Sequence, residues 1–182
     1  MQPNKARTDL WMDLALVAFL IALDVVARLL PHAPGFLPVA ASGLFAARVL
    51  RIPALAIVVP VLAMILSDVA LPGADWRIQA VGFAAIAIPA VAGIATRRWG
   101  GVLPTAATVV VSSILFFLLS NGAVWAFSGM YPLDLSGLTQ SYIAALPFLE
   151  KAMLGDLFWT GVLFGGAWLV MRTPVMARAR AR

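Results

Sequence analysis

Long apolar runs, separated by short loops that carry most of the charge, constrain this chain more than any other feature. The six runs cover about residues 10–30, 37–50, 53–71, 77–96, 103–127 and 147–171. A helix needs about 20 apolar residues to cross the bilayer core, and a lipid-exposed backbone must satisfy its own hydrogen bonds. The chain is therefore predicted to be an all-α integral membrane protein with six transmembrane helices.

The composition excludes several other classes of protein. Hydrophobic residues make up 63% of the 182 residues and the mean hydropathy is +0.98, far above the values of a soluble domain. The chain has no Cys and a single His, which excludes disulfides, thiolate chemistry and a multi-histidine metal site. The net charge of +5 is scattered between apolar runs, unlike the basic stripe of a nucleic-acid-binding protein. With no phosphate loop, zinc motif or nucleophile elbow, we expect no ATPase and no enzyme, and no required cofactor.

Several runs carry local features that qualify this prediction. The first begins like a signal peptide, but it is long enough to span the bilayer and we expect it to be retained. The second is only about 20 Å long as a helix, so it is either tilted or does not fully cross. Pro60 and Pro89 fall inside runs and predict kinks. Residues 137–150 predict a separate amphipathic or re-entrant helix before the sixth span.

Lys and Arg are distributed unequally between the two sides of this arrangement. Ten of the thirteen fall on one side, namely Lys5, Arg7, Arg48, Arg51, Arg97, Arg98, Arg172, Arg178, Arg180 and Arg182. By the positive-inside rule both termini are cytoplasmic. The predicted organisation is a cytoplasmic tail over 1–9, a six-helix domain over 10–171 and a basic cytoplasmic tail over 172–182, in a bacterial cytoplasmic membrane.

The outer side carries a mixed set of charges, from which we predict an outward-facing cup. Its acidic members are Asp68, Asp75, Asp134, Glu150 and Asp156. The stretch "SSILFFLLSNGAVWAF" places Asn121 and Gly122 at the outer end of the fifth span, where we expect a broken or polar helix end that lines a cavity.

Asp24 and Arg28 share one face of the first helix because they are four residues apart. They are either a self-neutralising pair or a charged wall of the cavity. Ala15, Ala18 and Ala22 lie on a different face, which suits either close packing with a partner helix or ordinary internal packing.

Other candidate ligand contacts have two interpretations each. Trp76, next to the guanidinium of Arg77, suits contact with an amphipathic ligand, yet it could equally be an interfacial anchor. The aromatic residues Trp125 and Tyr131 could likewise line a pocket or belong to the interfacial aromatic belt. His32 is a surface-loop histidine or, as a weaker alternative, a metal ligand.

Five blocks, "FLPVAASGLFAARVL", "LSDVALPG", "SSILFFLLSNGAVW", "MYPLDLSGL" and "AALPFLEKAMLGDLFWTGVLF", resemble the BtuM-type cobalamin transporters. These are related to the substrate-binding S-components of energy-coupling-factor (ECF) vitamin transporters. The resemblance runs over most of residues 10–171. It implies an S-component-like fold that binds cobalamin as substrate in an outward-facing cavity and moves it into the cell.

The resemblance also implies roles for particular residues. The face of Ala15, Ala18 and Ala22 would meet an ECF coupling module of a transmembrane subunit and ATPases, although members of this group also act alone. The outer cavity would hold the vitamin, and our candidates for its contacts are Arg28, His32, Asp68, Trp76, Arg77, Ala80, Asn121, Trp125 and Tyr131. In the family a cysteine near the start of the fourth helix ligates cobalt and can displace cyanide. Here Ala80 stands at about that position, which puts both properties in doubt.

Two alternatives remain beside cobalamin uptake. The first is an S-component-like transporter for another small metabolite. The second is a membrane accessory protein that transports nothing.

Overall fold

The computed structural model describes residues 3–71 and 75–172, and every regular element among them is a helix. The helices are α1 (Pro3–Leu29), α2 (Val39–Val49), α3 (Leu55–Asp68), α4 (Trp76–Ile86), α5 (Ile88–Ala95), α6 (Val102–Phe127) and α7 (Leu135–Arg172). Since only Ala87 separates α4 from α5, the seven segments form six rods. The all-α prediction is confirmed. Most of the predicted C-terminal tail, residues 173–182, lies outside the described residues.

Four of these rods are long and apolar enough to cross a membrane: Arg7–Leu29, Trp76–Ala95, Val102–Phe127 and Leu135–Arg172. The protein is therefore a multi-pass membrane-embedded protein. The helices α2 and α3 have 11 and 14 residues, about 16 and 21 Å at 1.5 Å per residue. Both are shorter than the roughly 30 Å hydrocarbon core. Helix α1 begins at Pro3, so helical backbone includes most of the predicted tail over 1–9.

The prolines within the rods act differently. A proline lacks the backbone N–H that would close one intrahelical hydrogen bond, and α4 gives way to α5 two residues before Pro89. The helix is therefore interrupted next to the proline for which a kink was predicted. Helix α3, in contrast, continues through Pro60.

The prediction of a separate helix over 137–150 is wrong. Helix α7 runs without interruption for 38 residues and contains Pro147. Its first turn is stabilised by Asp134, whose carboxylate accepts a hydrogen bond from the backbone N–H of Gly137 at 2.8 Å. The missing N–H of Pro147 removes one hydrogen bond, which a helix of this length tolerates.

Helix α2 occupies the centre of the bundle, packed against α1, α3, α5 and α7. Eight of its 11 residues are buried and most of these are small, so neighbouring backbones approach closely. A Cβ placed on Gly93 of α5 would lie 2.8 Å from the Cβ of Ala47. The core around α2 consists of Val17, Leu20, Phe45, Ala46, Ala47, Leu50, Ala56, Val59 and Ala90.

The bundle has two chemically different ends. At one, which we call the cavity end, Arg28 of α1 pairs with Asp68 of α3. At the other, the basic end, Arg51 pairs with Asp9 at 2.7 Å. There Arg48 also donates to the hydroxyl of Thr96 at 2.9 Å. The sequence predicted that Arg28 lies at the opposite end of the bundle from Arg48 and Arg51, and these contacts agree with that prediction.

Candidate functional site

A cavity of about 160 Å³ lies between the cavity end and the middle of the bundle. It is lined by α1 to α4, by α5 at Pro89, by α6 and α7, and by the loop that joins α1 to α2. Its apolar wall includes Leu37, Val39, Met64, Ile86, Pro89 and Phe116. Its polar side chains are Arg28, Ser112, Ser113 and Asp156. This meeting of all seven helices around a few polar groups is the arrangement of a small-molecule site.

Arg28 forms one side of the cavity and is held from two directions. Its Nε donates to the hydroxyl of Ser67 at 2.6 Å, and its NH2 group contacts the Asp68 carboxylate at 2.6 Å. The other oxygen of Asp68 accepts from the amide of Gln79 at 2.9 Å. Arg28 is therefore a neutralised, oriented side chain, and its NH1 group is the part not used in these contacts.

Asp156 lies on α7, on a different element of the cavity wall. The hydroxyl of Ser113 donates to its carboxylate at 2.7 Å. Within residues 3–71 and 75–172 no basic side chain forms an ion pair with it. The neighbouring Ser112 is 2% exposed, and its hydroxyl has no hydrogen-bond partner in this part of the chain. Among the described residues, the cavity wall therefore contains a carboxylate without a counter-ion and a hydroxyl without a hydrogen-bond partner.

Asp24 and Arg28 do not pair with each other. Asp24 is fully buried and accepts a hydrogen bond from Ser42 of α2, whereas Arg28 turns to Asp68. The sequence offered two alternatives, a self-neutralising pair or a charged cavity wall. Arg28 lies in the cavity wall, whereas Asp24 connects α1 to α2 through its hydrogen bond with Ser42.

The loop over residues 30–38 closes one side of the cavity by lying on α7. Gly35 has a φ of +78°, a backbone conformation that glycine adopts without strain. A Cβ on Gly155 would lie 2.9 Å from the Cα of Phe36, and the rings of Phe36 and Phe158 are 5.2 Å apart. A residue larger than glycine at position 155 would push the loop away.

The polar stretch of α6 does not break the helix, so that prediction is wrong. Helix α6 continues to Phe127, and the amide of Asn121 donates to the carbonyl of Phe117 in its own helix at 2.8 Å. The stretch is a packing site for α7. The hydroxyl of Tyr142 donates to the carbonyl of Leu118 at 2.7 Å. A Cβ on Gly122 would lie 3.2 Å from the same hydroxyl oxygen.

The other predicted contacts lie around the cavity end and do not line the cavity. His32 is exposed in the loop, and Trp76 is 74% exposed at the start of α4. Ala80 is exposed on the same side of α4 as Trp76, because residues four apart share a helix face. It therefore points away from the cavity-lining Gly82.

Two more of these residues bind neighbours within the protein. The Arg77 guanidinium bonds to Asp75 at 2.9 Å and lies over the Phe127 ring. The guanidinium holds the pKa of Asp75 at about 2, below its usual range. The indole of Trp125 donates to the carbonyl of Pro132 at 2.9 Å. Tyr131 is half-buried.

Asp156, Ser112 and Ser113 were missed as site residues by the sequence reasoning. Asp156 was assigned to the outer charges. Its position inside an apolar run is the signal that could have found it, since ionisable residues within spans usually face an interior.

The predicted docking residues Ala15, Ala18 and Ala22 are all exposed on α1. A second, open groove of about 750 Å³ lies at the basic end between α6 and α7, with Arg48 and Arg97 at its rim. In the described part of the chain, no three His, Cys, Asp or Glu side chains are grouped so as to hold a metal ion.

Fold and site together define the class: an all-helical, multi-pass membrane protein with a small charged cavity between its helices. More specifically, the chain belongs to the family of unknown function DUF6580, whose model matches residues 8–178. No curated protein and no solved structure matched the chain.

Proposed function

We propose that this protein captures a small organic molecule in its central cavity and carries it into the cell, in the manner of an ECF S-component. The observation that carries the proposal is the cavity itself, with Arg28 and Asp156 on different helices of its wall. Ionisable side chains placed within an apolar bundle are costly, and they mark substrate or ion pathways in membrane proteins.

The direction of transport rests on the charge distribution. The cavity lies toward the end that holds few of the Lys and Arg residues, and the positive-inside rule places such an end outside the cytoplasm. With both termini cytoplasmic and six rods in the membrane, the cavity would receive its ligand from outside. The bacterial cytoplasmic membrane is the location that this orientation implies.

The energy for release would come from elsewhere, because the chain has no ATP-binding motif. The exposed face of Ala15, Ala18 and Ala22 suits the close approach of a partner helix. This face is where an ECF coupling module would dock. A protein that acts alone would present the same face to lipid.

Two ligands are in question. The sequence resemblance favours cobalamin. The volume favours the alternative, a smaller metabolite, because about 160 Å³ is below the roughly 300–1,000 Å³ of sites for drug-sized ligands. Cobalamin is larger still, so it would require the helices to separate, whereas a small metabolite fits this conformation. The geometry therefore supports the smaller ligand better.

Co-purification tests both ligands. The detergent-solubilised protein is mixed with cobalamin, passed over a gel-filtration column and examined by its visible spectrum, with Ala80→Cys as a parallel variant. A corrin spectrum that co-elutes would establish cobalamin as ligand. If neither protein retains it, mass spectrometry of small molecules released from the native protein tests the alternative.

Uptake is tested separately in cells. Expression should increase accumulation of the identified ligand, and Arg28→Met should reduce it. A protein that releases no small molecule and changes no uptake would be the membrane accessory protein of the second alternative, and the transport proposal would be wrong.

A further inference from the structure

The charges around the central cavity do not balance. Arg28 is the basic residue of the wall, and its charge is compensated by Asp68 at 2.6 Å. Asp156 then remains with one serine hydroxyl as its partner among the described residues. Lys151, one and a half turns earlier on α7, is exposed, as is His32. An ionised Asp156 therefore leaves the cavity with an uncompensated negative charge.

A second observation concerns Ser112, the residue before the Ser113 that bonds to Asp156. Ser112 is 2% exposed, lines the same cavity and has no hydrogen-bond partner for its hydroxyl in the residues described. Buried hydroxyl groups are nearly always hydrogen-bonded, and an unsatisfied one costs free energy. A bound molecule that reaches Asp156 with a hydrogen-bond donor could also satisfy Ser112.

The remaining wall limits the body of that molecule. Met64, Ile86 and Phe116 form an apolar surface, and a dry apolar cavity of about 150 Å³ accommodates one benzene molecule. The cavity, at about 160 Å³, therefore takes an apolar group of roughly that size with one polar end.

From these observations we infer that the central cavity binds small organic amines in their protonated form. Asp156 is the counter-ion of the ammonium group, Ser112 accepts a second hydrogen bond from it, and the apolar wall holds the hydrocarbon part. The inference rests on the central cavity being the ligand site of the proposed function, and it names the chemical class of that ligand.

Benzylamine and its neutral counterpart benzyl alcohol provide the test. Binding of each to the full-length protein in nanodiscs is measured at neutral pH by saturation-transfer NMR and by the shift in melting temperature. We expect benzylamine to bind wild type at least tenfold more tightly than benzyl alcohol, because a hydrogen bond to a charged group contributes about 1.5–3 kcal/mol. Asp156→Asn should remove that preference, and Asp156→Glu should retain part of it.

Asp134→Asn is the matched control. It removes one carboxylate from the cavity end, at the start of α7 and outside the cavity, so general attraction of cations to the protein is tested separately. Equal binding of the two probes to wild type, or equal losses in Asp134→Asn and Asp156→Asn, would overturn the inference. The same holds if neither probe binds. If the protein takes up a neutral ligand instead, the proposed transport function holds and the inference of an amine ligand is wrong.

Discussion

Replacing Gly155 with alanine tests the contact that holds the loop over residues 30–38 against α7. The new Cβ would lie 2.9 Å from the Cα of Phe36 and 3.0 Å from the carbonyl oxygen of Gly35. Carbon atoms in contact are ordinarily about 3.5–4.0 Å apart, so the loop must move by about half an ångström or more. Both atoms belong to backbone, which cannot rotate away, and overpacking of this kind costs about 1–3 kcal/mol.

Gly161→Ala, on the same helix, is the control for everything except this contact. A Cβ at position 161 meets nothing within 4 Å. Both substitutions gain the same roughly 0.5–1 kcal/mol from replacing a mid-helix glycine, and this gain cancels in the comparison. Gly155→Ala should therefore be less stable than Gly161→Ala by about 1–3 kcal/mol.

The difference is measured by thermal unfolding in detergent, followed by intrinsic tryptophan fluorescence. For a chain of this length we expect Gly155→Ala to melt about 2–12 °C below Gly161→Ala, at roughly 2–4 °C per kcal/mol. Equal melting temperatures, or a more stable Gly155→Ala, would show that the loop does not pack on α7 as described. Since the loop contributes Leu37 to the cavity wall, the position of that wall would then be wrong as well.

Three further changes test other contacts. Tyr142→Phe should lower the free energy of unfolding by about 0.5–1.5 kcal/mol through loss of its hydrogen bond to α6; Tyr131→Phe, the control, should have little effect. Removing Arg28 or Asp68 alone leaves a partly buried charge, so a double-mutant cycle of Arg28→Met and Asp68→Leu should give a coupling of about 0.5–3 kcal/mol; additive losses would contradict the pairing. The guanidinium two residues after Asp75 depresses the pKa of Asp75 to about 2, below the unfolded value of about 3.9. Its stabilisation is therefore present above about pH 4 and lost as the pH falls toward 2, and melting temperatures of Asp75→Asn should fall less over that interval than those of wild type.

The positions of the helices followed from the sequence because they depend on properties summed over many residues. Each apolar run forms a helical rod. The loops richest in arginine lie together at the basic end, as the contacts of Arg48 and Arg51 show. Arg28 and Asp68 were assigned to the opposite end, where they form an ion pair. Run length and charge order are sufficient for conclusions of this kind.

The rotation of each helix about its axis was harder to predict. In an alanine-rich span no face is distinctly more apolar than another, so the side on which Ala80 lies could not be decided by composition. The same is true of Asn121 and Gly122, whose polarity suggested a break. Their role depends on Tyr142 of α7, about 20 residues away in the chain. Such contacts between helices are not visible in local sequence.

The charged side chains at the cavity end differ in how the free-energy cost of removing them from water is offset. Arg28 is neutralised by Asp68, and Arg77 by Asp75. Asp156 lies in the wall of the cavity, and among the described residues its carboxylate is bonded to one serine hydroxyl. One neutral hydrogen bond does not compensate for taking a carboxylate out of water. Asp24 also has a single serine partner, but it is fully buried in the contact between α1 and α2. Asp156 instead lines a cavity that a bound cation can enter, and the proposed ligand supplies that cation.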